Sequence, residues 1–225
     1  MMQYKRHEFI WLSDTGKDYA LRNIISCVPT VSEGEKRDLI FSIPSIPCIV
    51  GRQERAEEKH LYVSFSSPNI IDGVRLRIGS KVPFNCIAKS KTPFDVVKSG
   101  NRHLLDYKAL EALIETGNKY HIQVGCFGYT ALQLITGLPY RNENSDLNIY
   151  IRHSGSRQEL EQFYTRLSEY ETEFNIKIDA EIEYLGEYGI KLKELFIPGK
   201  TIMAKGLYDV VLLEKTAFLT GSSGF

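Results

Sequence analysis

Alternating apolar and polar positions predict strands in the first part of the chain. Leu61, Val63 and Phe65 repeat with the period of two that is typical of a half-buried strand. Asp72-Gly73 is a hairpin signal, and a second alternating segment follows it. Prolines separate three further short apolar runs, which are residues 24–28, 39–43 and 48–50. Residues 1–90 are therefore predicted to form a small strand-rich domain.

From residue 91 onward, helical and alternating patterns follow one another. Thr92-Pro93 is a predicted helix start, after which apolar residues recur at helical spacing from Leu104 to Ile114, and Gly117 is a predicted stop. Ser156 and Glu159 have the spacing of a capping box before another helix. Strands are predicted at residues 122–124, 147–151, 176–182, 202–205 and 210–213, with a short helix at 129–135. We therefore expect an α+β protein with a second domain at residues 91–225.

Charge and composition exclude some classes of protein. The chain has 28 basic and 28 acidic residues, which argues against a dedicated nucleic-acid binder. It contains no stretch approaching the roughly 20 apolar residues that span a bilayer. The amino terminus is charged where a signal peptide would be apolar. We therefore expect a cytoplasmic protein with no membrane or nucleic-acid partner, in which the four cysteines are reduced.

Two pairs of polar residues have the spacing of a metal site. Asp146 and Asn148 are two residues apart on one predicted strand, and Asp179 and Glu181 are two apart on another. Each pair therefore points to one face, where carboxylates can share a magnesium ion with substrate phosphates. Gly128 lies at a strand-to-helix turn, where the backbone can approach a phosphate. The alternative is that these acidic residues form a solvated strand face.

Arg75 and Arg77 lie on one face of the strand that follows the Asp72-Gly73 turn. Two guanidinium groups on one face are suited to phosphate recognition. A solvated strand face accounts for the same pattern.

A longer sequence word resembles one protein family. It comprises Phe127-Gly128, Gln133, the run Ile135-Thr136-Gly137-Leu138-Pro139-Tyr140, and Ser145-Asp146-Leu147. The word resembles the signature of the phosphoribosyl-dephospho-CoA transferases, which are the holo-acyl-carrier-protein synthases of malonate decarboxylase. The resemblance continues weakly around Asp179, Glu194 and Lys205, and at residues 6–11.

The resemblance implies an amino-terminal domain followed by a nucleotidyltransferase domain of the polymerase-beta type. Such a protein would transfer a phosphoribosyl-dephospho-CoA group from the triphosphate precursor, triphosphoribosyl-dephospho-CoA, to a serine of an acyl-carrier-protein subunit. Mg²⁺ would be the cofactor, and the expected catalytic and metal-binding residues are Asp146, Asn148, Asp179 and Glu181. The expected substrate-binding residues are Gly128, Tyr129, Gln133, Thr136, Lys205, Arg75 and Arg77.

Three positions depart from the family pattern. Tyr129 replaces a small serine after the glycine, Leu132 replaces a tryptophan, and Asn148 replaces the second aspartate of the carboxylate pair. An amide offers a metal an oxygen but no charge, and phosphoryl transfer depends on charge balance. Two alternatives to an active transferase therefore stay open. One is an impaired relative that binds a CoA-like nucleotide or carrier protein, and the other is a nucleotidyltransferase with a different substrate.

Overall fold

The computed structural model describes residues 4–54, 59–99, 108–142 and 145–216. These residues form two six-stranded sheets with helices against them. The structure is therefore of the α+β class, and each sheet has a hydrophobic core.

The first sheet is antiparallel throughout and has the strand order β2-β5-β4-β3-β1-β6. Its strands are β1 (Phe9–Leu12), β2 (Ile24–Val28), β3 (Cys48–Val50), β4 (His60–Ile71), β5 (Val74–Pro83) and β6 (Ile87–Lys91). Helix α1 (Asp14–Arg22), helix α2 (Glu33–Lys36) and a π-helical turn (Arg37–Phe41) complete this part. The predicted Asp72-Gly73 hairpin is confirmed, since it joins β4 to β5.

The second sheet has the order β12-β11-β10-β9-β8-β7, and only the pair β8–β9 is parallel among its described pairings. Its strands are β7 (Ile122–Cys126), β8 (Leu147–His153), β9 (Ile178–Tyr184), β10 (Tyr188–Lys191), β11 (Thr201–Lys205) and β12 (Val210–Glu214). The helices of this part are α3 (Pro93–Ser99), α4 (Lys108–Lys119), α5 (Gly128–Thr136) and α6 (Arg157–Glu173). A 3₁₀ turn, Leu192–Leu195, follows β10.

Local signals predict most of the elements correctly. The Thr92 hydroxyl caps α3 by accepting a hydrogen bond from the Asp95 N–H at 3.2 Å. Ser156 and Glu159 form the predicted capping box of α6. The predicted short helix is confirmed as α5, and Gly137 ends it in the left-handed conformation with φ of 74°.

Two sequence predictions are wrong in detail. The apolar run 39–43, expected in a strand-rich segment, lies in and just after the π-helical turn, where Ile40 and Phe41 are buried against the first sheet. Helix α4 continues through Gly117 to Lys119, and Gly117 packs closely on the next strand. A Cβ atom at Gly117 would lie 2.6 Å from the Ile122 carbonyl oxygen, so a close approach explains this glycine. Leu104 and Leu105 of the predicted helix lie outside the described residues.

Polar contacts to main-chain carbonyls join the two sheets. Tyr140 is fully buried, and its hydroxyl donates to the Ser66 carbonyl oxygen at 2.8 Å. The Arg75 guanidinium donates to the carbonyls of Ser67 at 2.9 Å, Pro68 at 2.6 Å and Tyr140 at 2.7 Å. These contacts fix β4 and β5 against the segment that follows α5.

No helix among the residues the structure describes is long and apolar enough to cross a membrane.

Candidate active site

The turn between β7 and α5 is built around Gly128. This glycine has φ of 68°, a conformation that L side chains rarely adopt. A Cβ atom at Gly128 would lie 2.8 Å from Nδ2 of Asn148, so the turn is in close contact with β8. The Phe127 N–H donates to the Asn148 carbonyl oxygen at 3.1 Å. The amino terminus of α5 therefore lies beside Asn148. The side chain of Phe127, the N-cap residue, accepts no hydrogen bond from the first N–H groups of the helix.

The parallel pairing of β8 and β9 brings the predicted acidic residues to one edge of the sheet. Asn148 and Asp179 are direct partners in this pairing, and Asp146 lies two residues before Asn148. Asp146 and Asp179 line the same cleft, which has a volume of about 400 Å³. The structure therefore groups Asp146, Asn148, Asp179 and the Gly128 turn.

Three lysines line this cleft, and the sequence analysis did not identify them. They are Lys177, Lys191 and Lys193, which lie beside three carboxylates, those of Asp146, Glu171 and Asp179. A sequence signal was present, because Lys177 directly precedes β9 and Lys191 and Lys193 flank the end of β10. Lysines at strand ends are usually solvated, so only their position in the cleft distinguishes them.

Lys191 contacts Asp179 closely. Its ammonium lies 2.5 Å from each carboxylate oxygen of Asp179, and both side chains are about a quarter to a third exposed, at 25% and 30%. The cross-strand partner of Lys191 is Glu181, yet the ammonium binds the diagonal neighbour. The Asp179 carboxylate is therefore already paired with the Lys191 ammonium.

Glu181 is enclosed by the amino-terminal segment. It is 4% exposed, lies 3.0 Å from Nε2 of His7 and 3.7 Å from Nη1 of Arg6, and does not line the cleft. Burial acts to raise the pKa of Glu181, but the His7 hydrogen bond and the charges of His7, Arg6 and Lys205 outweigh it and lower the pKa to about 2. Glu181 is therefore ionised at neutral pH, and His7 donates to it.

His7 joins this ion pair to the Gly128 turn. Its ring stacks on Phe127 with centroids 4.1 Å apart, while Nε2 contacts Glu181. Burial lowers the pKa of His7 despite the opposing effect of Glu181. His7 therefore bridges the N-cap residue of α5 and the middle of β9.

Lys205 lies beside Glu181 and does not line the cleft. Its carbonyl oxygen accepts a hydrogen bond from Nη1 of Arg6 at 2.9 Å. The structure therefore places Lys205 with the amino-terminal segment and apart from Asp146 and Asp179.

Tyr129 and the two arginines from β5 meet next to the Gly128 turn. The Tyr129 hydroxyl accepts hydrogen bonds from Arg77, through Nε at 3.1 Å and through Nη2. The Arg75 guanidinium lies over the Tyr129 ring, 4.6 Å from its centroid. Arg75 is engaged with three main-chain carbonyls, whereas Arg77 is exposed and points its guanidinium at the start of α5.

Gln133 and Thr136 shape the loop after α5. Oε1 of Gln133 accepts a hydrogen bond from the Arg141 N–H at 2.9 Å. The Thr136 hydroxyl donates to the Leu132 carbonyl oxygen at 2.7 Å and accepts from the Leu138 N–H at 3.1 Å. These two predicted substrate-binding residues therefore make loop contacts, and the loop carries Tyr140 and Asp146.

The donor set at the cleft fits one divalent cation. Among the described residues, no group of three His, Cys, Asp or Glu side chains is placed to hold a metal ion. Asp146 and Asp179 line the cleft, and Asn148, which does not line it, is the strand partner of Asp179. Two carboxylates suit Mg²⁺ when substrate phosphates complete the coordination. The Lys191 ammonium against Asp179 shows that this edge of the sheet holds positive charge.

Comparisons with known proteins agree with the family resemblance. The sequence model of the family described as phosphoribosyl-dephospho-CoA transferase MdcG, C-terminal domain, matches residues 101–216. The chain is 23% identical over 118 residues to a phosphoribosyl-dephospho-CoA transferase of Bradyrhizobium diazoefficiens. That alignment covers 52% of this chain and 52% of the relative, so the matched part spans about half the length of each. No solved structure matches the chain. Because the family match covers half of the chain and includes the Gly128 turn, Asp146 and Asp179, the chain belongs to the phosphoribosyl-dephospho-CoA transferase family.

Proposed function

We propose that the protein transfers a phosphoribosyl-dephospho-CoA group from its triphosphate precursor to a serine of an acyl-carrier protein, with release of pyrophosphate. The observation that carries the proposal is the contact of the Gly128 turn with Asn148, which is paired with Asp179. Phosphoryl transfer requires a backbone turn that can bind phosphate and, beside it, side chains that can bind a metal ion. We also propose that residues 91–225 form a nucleotidyltransferase domain of the polymerase-beta type.

The cleft carboxylates are the proposed magnesium ligands. Asp146, the amide oxygen of Asn148 and Asp179 would hold the ion, and Glu181 is already engaged with His7 and Arg6. When bound, Mg²⁺ would neutralise charge on the phosphates and orient them.

The proposed phosphate contacts come from both sheets. The N–H groups at the start of α5 and the Gly128 turn would bind phosphate oxygens, because glycine has no side chain and the N-cap residue does not cap the helix. Arg77 reaches the same turn from β5, where the Tyr129 hydroxyl holds its guanidinium. Lys177 and Lys193 add positive charge along the cleft. Tyr129 thus supplies a hydroxyl that orients an arginine, although it replaces the family's smaller serine.

Proton transfer from the acceptor serine requires a carboxylate. We propose Asp179 over Glu181 for this role, because Asp179 lines the cleft and Glu181 is buried in its ion pairs. The serine oxygen would attack the α-phosphorus, the bond to the departing pyrophosphate would break, and the proton would pass to the carboxylate. The other proposed site residues would position the substrates and stabilise negative charge on the phosphates.

The test is the intact mass of an apo acyl-carrier subunit after incubation with the protein, Mg²⁺ and triphosphoribosyl-dephospho-CoA. We expect a mass gain equal to the prosthetic group. Asn148→Asp should increase the rate, since it adds a ligand charge, and Asp146→Asn should abolish the gain. Absence of any gain with the unmodified protein and with Asn148→Asp would refute the proposal.

A second function is favoured by Asn148 itself. An uncharged residue at this ligand position suits a protein that binds the CoA-like nucleotide or the carrier without turnover. That function predicts ligand binding without a mass gain, together with a gain for Asn148→Asp. A nucleotidyltransferase using another triphosphate would instead transfer label from that nucleotide.

A further inference from the structure

We infer that His7 is a positioning residue of the transfer reaction, and that it acts through the Phe127 ring on the Gly128 turn. The inference rests on the proposed function, because that function gives the Gly128 turn its role in binding phosphate. His7 itself does not line the cleft. It belongs to the segment before the first strand, so a part of the chain remote in sequence contributes to the site.

The His7 ring is enclosed by side chains of the second sheet and of the turn that begins α5. Nε2 lies 3.0 Å from Oε2 of Glu181. The ring stacks on Phe127 with centroids 4.1 Å apart and an interplanar angle of 30°. The Tyr150 ring meets it edge-on, with centroids 5.7 Å apart. Because these contacts leave only 15% of the His7 side chain exposed, they fix the orientation of its ring.

The backbone of His7 indicates that its side chain has a specific role. His7 has φ of 67°, in the left-handed region. It is the third residue of a turn that the Glu8 N–H closes on the Lys5 carbonyl oxygen at 3.4 Å. Glycine or asparagine suits such a position best, because positive φ is unfavourable for most side chains. The contacts of the imidazole ring therefore offset the backbone cost of having a histidine there.

Phe127 connects the His7 ring to the Gly128 turn. The Phe127 side chain is buried and packs in a small aromatic cluster that includes Tyr150. Its N–H donates to the Asn148 carbonyl oxygen at 3.1 Å, and Gly128 is the next residue and the first of α5. A change in the packing of the Phe127 ring therefore alters the direction of the first N–H groups of the helix.

This direction matters for the proposed phosphate contact. The N–H groups at a helix amino terminus bind phosphate best when they point at it together. The side chain of Phe127 accepts no hydrogen bond from them, so the helix has no side-chain cap that orients its first turn. Stacking by His7 supplies that restraint from outside the helix. A displacement of about 1 Å in a positioning group can cost roughly 100-fold in rate.

The first experiment measures hydrogen exchange at the Phe127 amide by NMR in the variant His7→Asn. Asparagine tolerates positive φ, so the backbone turn persists while the ring is removed. We expect the Phe127 amide to exchange roughly three- to ten-fold faster, which corresponds to the loss of one aromatic pair, and amides in the middle of α6 to be unchanged. The matched control is His60→Asn, which removes a histidine that stacks on Tyr19 at 6.4 Å in the other part of the structure. It should leave exchange at Phe127 unchanged.

The second experiment separates positioning from folding. In folded His7→Asn we expect KM for the triphosphate to rise roughly ten-fold. A purely structural role would instead lower the fraction of active protein, and so lower kcat without changing KM. Phe127→Leu removes the other ring of the same pair, and it tests the contact even if His7→Asn does not fold. Its KM should rise similarly, and the double variant should be no worse than either single variant, because His7 acts through Phe127.

Two results would overturn the inference. One is an unchanged exchange rate at the Phe127 amide in folded His7→Asn, and the other is an additive effect of the two substitutions on KM. Both are separable from failure of the proposed function. If exchange at Phe127 accelerates and no carrier protein is modified, the transferase proposal fails while the action of His7 on the Gly128 turn stands. If the carrier is modified and His7→Asn leaves KM unchanged, the transferase stands and the inference fails.

Discussion

Gly128 and Asn148 are in contact with no room for a side chain between them. A Cβ atom added at Gly128 would lie 2.8 Å from Nδ2 and 3.2 Å from Cγ of Asn148. The turn that begins α5 therefore packs directly on the strand that carries the proposed ligands. We therefore expect a larger side chain at Gly128 to displace Asn148.

Gly128→Ala should lower both stability and activity. The positive φ of 68° and the short contact with Asn148 each oppose a side chain at this position. We expect a loss of about 1–3 kcal/mol in the free energy of unfolding, measured by urea denaturation. Gly34→Ala is the control, because a Cβ there meets only Oγ of Ser32, at 4.0 Å, within the short helix α2. Equal effects of the two substitutions would contradict the prediction.

Tyr129→Phe should weaken substrate binding with little effect on folding. The phenol oxygen accepts hydrogen bonds from Arg77, and its removal frees an exposed guanidinium. We expect KM for the triphosphate to rise roughly three- to ten-fold, with kcat changing less, since positioning of a phosphate contact is lost. Tyr208→Phe, which alters an exposed tyrosine elsewhere, should leave KM unchanged. An unchanged KM for Tyr129→Phe would remove Arg77 from the proposed phosphate site.

Tyr140→Phe should loosen the junction between the two sheets. The Tyr140 hydroxyl is fully buried and donates to the Ser66 carbonyl oxygen at 2.8 Å. The phenylalanine variant leaves that carbonyl without this donor, which should cost about 1–3 kcal/mol of unfolding free energy. Hydrogen exchange should show faster opening of β4 and β5 than of β9. Uniform acceleration over both sheets would contradict a local junction effect.

Glu8→Gln should remove a pH-dependent loss of stability. Burial is the main cause that raises the pKa of Glu8 from 4.5 to about 7, and the charge of Asp95 adds to it. The folded protein therefore binds this proton more tightly than the unfolded chain does. The associated stability is complete below pH 4.5 and is lost as the pH rises through about 7.

Between pH 4.5 and about pH 7, this effect lowers the free energy of unfolding by at most roughly 3 kcal/mol. The free energy of unfolding should be measured by denaturation at pH 5, 6, 7 and 8. As the pH rises, the value for Glu8→Gln should increase relative to that of the unmodified protein. Glu115→Gln, on the exposed side of α4, is the control. Parallel pH profiles for the unmodified protein and Glu8→Gln would contradict the prediction.

Short-range patterns in the sequence predicted the elements that short-range physics forms. The Thr92 cap, the Ser156–Glu159 capping box, the Gly137 helix end and the Asp72-Gly73 hairpin depend on residues a few positions apart. The apolar run 39–43 was predicted less well, because a run of that length fits a strand or a buried helical turn equally.

The candidate site was predicted in part. The Gly128 turn and the Asp146, Asn148 and Asp179 positions could be identified from motif and spacing, and the parallel pairing of β8 and β9 brings them to one edge. The sequence could not distinguish Asp179 from Glu181, because both lie on the same face of β9. Their difference depends on His7, which is 174 residues away from Glu181 in the chain.

The sequence by itself determined the α+β class, the order of most elements and the family, since these follow from local periodicity and a contiguous motif. Only the tertiary structure decided which charged groups meet. Lys191 binds Asp179, Arg77 binds Tyr129, and Arg6 and His7 enclose Glu181. Each of these contacts joins residues from different elements of the structure, and such tertiary contacts have no local signature in the sequence. The charge balance of the site is therefore a property of the fold, although each charge is visible in the sequence.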